Sequence, residues 1–89
     1  MQEVYGVAAF RSRQQVLRFE DTLRRMGVPV RIVSTPRDIS MGCGLSVRFP
    51  MEYASAVQRA AATDNPGNLI GLYRAEYDGG RLRVSPIRK

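Results

Sequence analysis

A single cysteine, Cys43, is the residue of this chain best suited to covalent chemistry. Glycines on both sides, Gly42 and Gly44, remove bulk around the sulfur and permit backbone angles that other residues avoid. Successive N–H groups in such a turn can form a small anion-binding nest, which would favour the thiolate over the thiol. The pattern therefore indicates a thiol that a partner or substrate can approach closely.

Three polar residues near Cys43 in sequence could support a thiolate. Arg37 and Arg48 are cations, and a neighbouring cation lowers the pKa of a cysteine thiol from its free value of about 8.5. Ser40 could donate a hydrogen bond to the sulfur, and none of these residues is a general base. The predicted site consists of a reactive thiol and its supporting residues: Cys43, Gly42, Gly44, Arg37, Ser40 and Arg48.

A purely structural role for the same residues stays open at this stage. A free cysteine is often a small buried hydrophobic residue, and a glycine pair is often a plain turn. Arg37 and Arg48 would then be solvated surface cations. The two interpretations differ in the reactivity of the thiol, since a buried structural cysteine reacts slowly with alkylating reagents.

The composition excludes several classes of site. The chain has 89 residues and no His, so it holds neither a His-based triad nor a His general base. One Cys without His cannot supply the usual zinc ligands, and it cannot form an internal disulfide. The acidic residues are scattered and form no evident catalytic pair. We therefore expect no metal or cofactor and no enzyme acting alone.

The chain is basic, with 14 Lys and Arg against 8 Asp and Glu and a formal net charge of +6. A basic surface attracts polyanions and acidic proteins. The arginines are spread along the chain rather than grouped, so the charge alone does not choose between these partners. No apolar run approaches the roughly 20 residues of a membrane-spanning helix, and the N-terminus has no signal-peptide pattern. We expect a cytoplasmic protein without a membrane partner.

The elements that must position Cys43 follow from the spacing of apolar residues. Apolar or alternating runs predict five strands, over residues 3–10, 28–33, 45–49, 69–77 and 81–85. Apolar residues three and four apart predict two helices, over residues 13–26 and from residue 50 to about residue 64. The polar segment Ser34–Gly44 is the longest predicted loop and carries the cysteine.

Local signals indicate where these elements start and stop. Ser12 and Gln15 form a capping-box pattern before the first helix, and Gly27 stands where a left-handed C-terminal cap is expected. Pro50 can open the second helix because its missing N–H is not needed in the first turn. Pro29 predicts that the second strand lies at an edge of the sheet or that the proline lies at the start of the strand.

The predicted order is β-α-β-β-α-β with an extra C-terminal strand. It indicates an α+β fold, a ferredoxin-like two-layer sandwich with both helices on one face of an antiparallel sheet. We assign residues 1–77 to this domain and residues 78–89 to a hairpin-strand extension of the same single domain. The exposed edge strand after Gly80 could pair with a second copy to form a homodimer.

The residues around Cys43 also form a recognisable motif. From Thr35 to Phe49 the chain reads Thr-Pro-Arg-x-Ile-Ser-x-x-Cys-Gly-Leu-x-x-Arg-Phe. This motif resembles a small bacterial domain family of unknown function described as selenium/sulfur (Se/S) carrier-like proteins, and the resemblance covers about residues 3–74. It implies that Cys43 holds a persulfide or selenopersulfide. The segment 78–89 extends beyond the usual end of the family.

The implied role can be stated as chemistry. The Cys43 thiolate would accept sulfane sulfur from a donor such as a cysteine desulfurase and pass it to an acceptor protein. The exchange needs a thiolate and no base, and the charged product would be stabilised by Arg37, Arg48 and the glycine amides. The basic surface would help to dock an acidic donor.

Two other functions stay open from the sequence. A small-molecule-binding regulatory module of ferredoxin-like fold would have a pocket near Ser34–Gly44 and a thiol of ordinary reactivity. A nucleic-acid-binding module would place arginines on one face and show a steep salt dependence. Against the second, the strands lack the clustered exposed aromatics of an RNA-recognition sheet, because core packing explains Tyr5, Tyr73 and Tyr77 equally well.

Overall fold

The computed structural model describes residues 3–39, 44–63 and 69–87. A five-stranded antiparallel sheet and two α-helices form an α+β fold, as the sequence predicts at that level. The strands are β1 Glu3–Phe10, β2 Arg31–Ser34, β3 Leu45–Phe49, β4 Leu69–Asp78 and β5 Arg81–Pro86. The helices are α1 Arg13–Arg25 and α2 Ala54–Thr63, the latter preceded by a short 3-10 helix, Met51–Tyr53. In this part of the chain, neither helix is long and apolar enough to cross a membrane.

The strands lie side by side in the order β2-β3-β1-β4-β5. In this arrangement β1 is central, and its Val7 is the register partner of Arg48 on β3 and of Tyr73 on β4. The edge position of β2 confirms one of the two possibilities predicted from Pro29. Because successive side chains of a strand point to opposite faces, the register assigns each strand residue to one side of the sheet.

Both helices pack on one face of the sheet and bury the main core there. The rings of Phe10 on β1 and Phe19 on α1 lie 5.2 Å apart between centroids at an interplanar angle of 55°, a tilted geometry that aromatic pairs favour. Val57 of α2 is fully buried in the same core. The buried residues of this core are Ala8, Phe10, Val16, Phe19, Leu23, Val28, Val30, Val47, Phe49, Val57, Ala60 and Ala61.

No helix of the described residues packs on the other face of the sheet, which we call the helix-free face. Val7, Ala9 and Ala75 are buried on it together with Ile39, which belongs to the loop between β2 and β3. The described part of that loop therefore reaches the helix-free face at Ile39. Partly buried residues surround this second cluster: Tyr5, Ile70, Tyr73, Leu82 and Val84.

The end of α1 explains why β2 begins at Arg31 rather than at Val28, as predicted. Gly27 has φ +84° and its N–H donates to the Arg24 carbonyl oxygen at 3.0 Å, while the Val28 N–H donates to the Leu23 carbonyl oxygen at 2.9 Å. These two bonds form a Schellman motif, which satisfies carbonyl groups of the last helical turn. The cap predicted at Gly27 is confirmed, and it uses the N–H of Val28 that a strand would need.

The first helix begins at Arg13 as predicted, but the capping box before it and the start of the second helix need correction. Ser12 occupies the N-cap of α1, but its side chain makes no capping hydrogen bond, so the predicted capping box does not form. Its carbonyl oxygen instead accepts the Gln15 N–H at 3.1 Å. After Pro50 the chain first makes a 3-10 turn, closed by the Tyr53 N–H on the Pro50 carbonyl oxygen at 2.9 Å, and α2 begins only at Ala54.

The predicted turn between the last two strands is confirmed. Gly79 and Gly80 have φ +61° and +81°, and they join the register partners Asp78 and Arg81. Two residues of positive φ are what a type I′ hairpin turn requires, and glycine adopts them without strain. The hairpin adds β5 to the sheet at the edge formed by β4.

Candidate functional site

Cys43, Ser40 and Gly42 lie outside the described residues. What the sequence predicts for these three residues therefore stays a prediction. The structure does describe both flanks of the segment that contains them, which are Ile39 before it and Gly44 after it. The contacts of those two residues define how the fold holds the cysteine-bearing loop.

The C-terminal flank is held by a hydrogen bond across the base of the loop. The Thr35 N–H donates to the Gly44 carbonyl oxygen at 2.9 Å. This bond lies one residue pair beyond the register of Ser34 with Leu45, so it continues the connection between β2 and β3. Gly44 has φ +89°, a left-handed conformation that strains any residue with a Cβ. Cys43 is thus covalently joined to a glycine of defined position and conformation.

A second bond lies beneath the first. The hydroxyl oxygens of Thr35 and Ser46 are 2.6 Å apart, and each group can act as donor. Ser46 is 0% exposed, so its hydroxyl is hydrogen-bonded to Thr35 and not to water. A buried hydroxyl left without a partner would destabilise the fold by about 1–3 kcal/mol. The threonine of the motif therefore has a structural role at the base of the loop.

The N-terminal flank is held by a hydrophobic contact and a turn. Ile39 is 7% exposed and packs against Val7, Ala9 and Ala75 on the helix-free face. Its N–H donates to the Pro36 carbonyl oxygen at 3.0 Å, which closes a four-residue turn. The two central residues of that turn, Arg37 and Asp38, are exposed.

The two arginines predicted to support Cys43 have different surroundings. Arg37 lies in the exposed turn and forms no ion pair with any residue in the ranges 3–39, 44–63 and 69–87. Arg48 lies on β3, four residues after Gly44, which corresponds to about 13 Å along a strand. Its Nη2 is 2.8 Å from Glu3 Oε2, and its Cζ is 3.8 Å from the centre of the Tyr5 ring.

These contacts differentiate the two predictions. Arg48 is engaged with Glu3 and Tyr5 near the far end of β3, whereas Arg37 lies within the same loop as the cysteine and is exposed. Support of the Cys43 thiolate by either arginine remains a prediction.

Sequence reasoning missed the Thr35–Ser46 bond. The alternation within Leu45–Phe49 indicates a half-buried strand, which would expose Ser46 to water. Ser46 is instead fully buried and hydrogen-bonded to Thr35, and Ile39 packs on the same face of the sheet. A polar residue in an alternating strand does not indicate that its face is buried, since that burial comes from residues elsewhere in the chain.

A cavity of about 630 Å³ lies at the other end of the sheet, where β1 and β2 begin and β3 ends. Its charged lining includes Glu3, Arg24, Arg31 and Arg48. The regulatory-module alternative predicts a pocket near Ser34–Gly44, and none of these lining residues belongs to that segment. That prediction concerns a loop that is only partly described, so it stays a prediction.

Comparison with known proteins adds one positive finding. A family model described as "Putative Se/S carrier protein-like" matches residues 5–72, which is more than half of the chain. No curated protein and no solved structure matches the chain. The matched range runs from β1 into β4 and includes the Cys43 loop with its two described flanks, while β5 lies beyond it. The chain therefore belongs to the Se/S carrier protein-like family.

Proposed function

We propose that the protein carries sulfur or selenium on Cys43, as a persulfide or selenopersulfide taken from a donor such as a cysteine desulfurase and passed to an acceptor protein. Membership of the family supports the carrier role. The observation that carries the assignment to this loop is that both described flanks of the cysteine segment are held by the fold, Ile39 by burial and Gly44 by a hydrogen bond.

The transfer is a balanced exchange between thiols. The Cys43 thiolate attacks the outer sulfur of the donor persulfide, and the bond between the two donor sulfurs breaks. The donor leaves as a thiolate, and Cys43 now carries the persulfide. Delivery to an acceptor thiolate is the same step with the roles exchanged, so no external oxidant or reductant is consumed. With a selenopersulfide the attacked atom is the outer selenium.

The electrostatics of the loop suit this exchange. A persulfide anion is stabilised by a nearby cation or by N–H donors. Arg37 supports the proposal as an exposed cation in the same loop, six residues before Cys43 and outside the described ion pairs. The net charge of +6 would assist docking on an acidic donor surface.

We propose a carrier or accessory role rather than an enzymatic one, because exchange at an existing thiolate needs no general base. We also propose the cytoplasm as its location, since reducing conditions there keep a lone thiol free. For the fold, we infer a ferredoxin-like arrangement in which β1-α1-β2 and β3-α2-β4 form the two halves. The pairing of β1 with both β3 and β4 supports this inference, with β5 as an addition.

Mass spectrometry of the intact protein tests the carrier function. After incubation with a cysteine desulfurase and cysteine, the wild-type chain should gain one sulfur atom, about 32 Da, that a reducing agent removes. Cys43→Ser should gain none while keeping the wild-type circular dichroism spectrum. Acquisition of the same adduct by Cys43→Ser would contradict the proposal, and so would an unmodified wild-type chain beside a desulfurase that forms its own persulfide.

A further inference from the structure

The cavity at the end of the sheet has the size of a small-molecule site. Its volume of about 630 Å³ lies within the range of roughly 300–1,000 Å³ that is typical of ligand pockets. Its walls combine aromatic and apolar groups, such as Tyr5 and Phe49, with three arginines. Among the described residues, none that lines the cavity belongs to the loop Ser34–Gly44.

Two of the arginines face each other across neighbouring strands. Arg31 on β2 and Arg48 on β3 are register partners. Cβ atoms of directly opposed residues are about 4.5–5.5 Å apart, and like charges in such a pair destabilise a sheet. The fold therefore places both side chains on the same face of the sheet at the rim of the cavity. The Arg48 guanidinium turns toward Glu3 and Tyr5 on β1, so Arg31 on β2 has no cation or carboxylate of β1 beside it.

The carboxylates that line or adjoin the cavity compensate only part of this charge. Glu3 pairs with Arg48 at 2.8 Å, and Glu20 pairs with Arg24 at 3.0 Å. Arg31 is exposed and has no ion pair among the residues that the structure describes. Three cations against two anions leave one positive charge, and it belongs to Arg31.

The donor groups of the other two arginines are already oriented. The Arg48 guanidinium is held by Glu3 and lies over the Tyr5 ring at 3.8 Å. Arg24 uses its Nη2 both for Glu20 and for the Val30 carbonyl oxygen at 3.4 Å. A guanidinium has five N–H donors, so both arginines keep donors for a ligand. Because these side chains are ordered before binding, less conformational entropy is lost when a ligand binds.

We propose that this cavity binds the phosphate group of a small anionic ligand at Arg31, with further N–H donors from Arg48 and with the rest of the ligand against Tyr5. A phosphate presents several oxygens to guanidinium forks, which suits a cavity lined by three arginines. The apolar walls favour a phosphate ester over the free ion. This binding site goes beyond the carrier function and does not depend on it.

The test is a titration of the ¹⁵N-labelled protein at constant ionic strength, followed by amide chemical shifts. The probes are phenyl phosphate, inorganic phosphate and phenol. Phenyl phosphate should shift the amides of residues 30, 31, 48 and 49 and saturate. Tighter binding of phenyl phosphate identifies an ester as the ligand type, whereas tighter binding of inorganic phosphate identifies the free ion. Either result supports a phosphate site.

Matched variants connect the binding to Arg31. Arg31→Gln should lower the affinity for phenyl phosphate by about tenfold or more, because it removes a charge-assisted hydrogen bond. Arg18→Gln makes the same charge change on an exposed residue of α1 that does not line the cavity. This variant should bind phenyl phosphate as tightly as the wild type. Cys43→Ser should also bind normally, which separates this site from sulfur loading.

Three results would overturn the phosphate site. One is the absence of saturable shifts with either phosphate probe up to about 10 mM. Another is equal weakening by Arg31→Gln and Arg18→Gln, which would indicate a response to net charge alone. The third is binding of phenol as tight as that of phenyl phosphate, which would assign the affinity to the apolar walls. The spectra report directly whether each variant is folded.

Discussion

Thr35 and Ser46 share a hydrogen bond, with their hydroxyl oxygens 2.6 Å apart, at the base of the loop that contains Cys43. Thr35 follows the last residue of β2, and Ser46 is the second residue of β3. Together with the bond from the Thr35 N–H to the Gly44 carbonyl oxygen, it gives the base of the loop two connections. The side chain and the backbone of one threonine thus hold the two ends of the loop together.

Removing one hydroxyl of this pair should have unequal effects. Thr35→Val leaves the fully buried Ser46 hydroxyl without its partner, so we expect the free energy of unfolding to fall by about 1–3 kcal/mol. Ser46→Ala should have a smaller effect because Thr35, which is only partly buried, can turn its hydroxyl to water. Urea unfolding of both single variants and of the double variant measures this. Strictly additive losses would contradict the coupling.

Gly44→Ala should strain the loop without creating a clash. A Cβ at Gly44 would meet no atom of the described residues within 4 Å, so we expect the penalty of φ +89°, about 1–2 kcal/mol. Gly27→Ala is a matched control, because Gly27 has φ +84° and is equally open. Both variants should lose similar stability in urea unfolding.

Only one of these two glycine variants should affect function. Gly44→Ala changes the residue bonded to Cys43, so it should slow sulfur loading, measured by the rate at which the mass adduct appears. Gly27→Ala lies at the end of α1 and should load at the wild-type rate. Equal slowing in both would assign the effect to lost stability rather than to the loop.

The helices and strands are largely predictable from the sequence, whereas burial on the helix-free face is not. The helix around Val16, Phe19 and Leu23 is predictable because its apolar spacing is a local property of the chain. The burial of Ser46 and Ile39 is not, because it depends on which sheet face the loop crosses. A loop residue such as Ile39 has no periodicity that would reveal its contacts.

The arginine contacts differ in how far the sequence could predict them. Arg37 and Arg48 are equivalent from the sequence, as cations close to Cys43. The register places Arg48 opposite Val7 and Arg31, and the start of β1 supplies Glu3 as its ion-pair partner. That contact joins residues 45 positions apart, so it follows from the sheet register and not from proximity along the chain.

The two arginines should therefore affect the thiol unequally. Arg37→Gln should raise the pKa of the Cys43 thiol toward the free value of about 8.5, because it removes an exposed cation from the loop. Arg48→Gln should change that pKa less, since its guanidinium is held by Glu3 and Tyr5. The rate of iodoacetamide alkylation against pH gives the pKa in each case. A larger rise in Arg48→Gln would contradict the assignment.

Shortening Ile39 should release the N-terminal flank of the loop. Ile39→Ala removes a side chain that is 7% exposed, and such truncations destabilise by about 2–5 kcal/mol in a core. We expect a loss near the lower value, because the second cluster has only four buried members among the described residues. Leu17→Ala is the control, since Leu17 on α1 is 48% exposed and its truncation should lower the free energy of unfolding only slightly.

Hydrogen exchange distinguishes an effect on the loop from an effect on the whole fold. In Ile39→Ala the Ile39-position amide, whose N–H donates to the Pro36 carbonyl oxygen in the wild type, should lose more protection than the amides of β1. Uniform loss of protection would instead indicate that Ile39 stabilises the fold as a whole and does not specifically hold the cysteine loop.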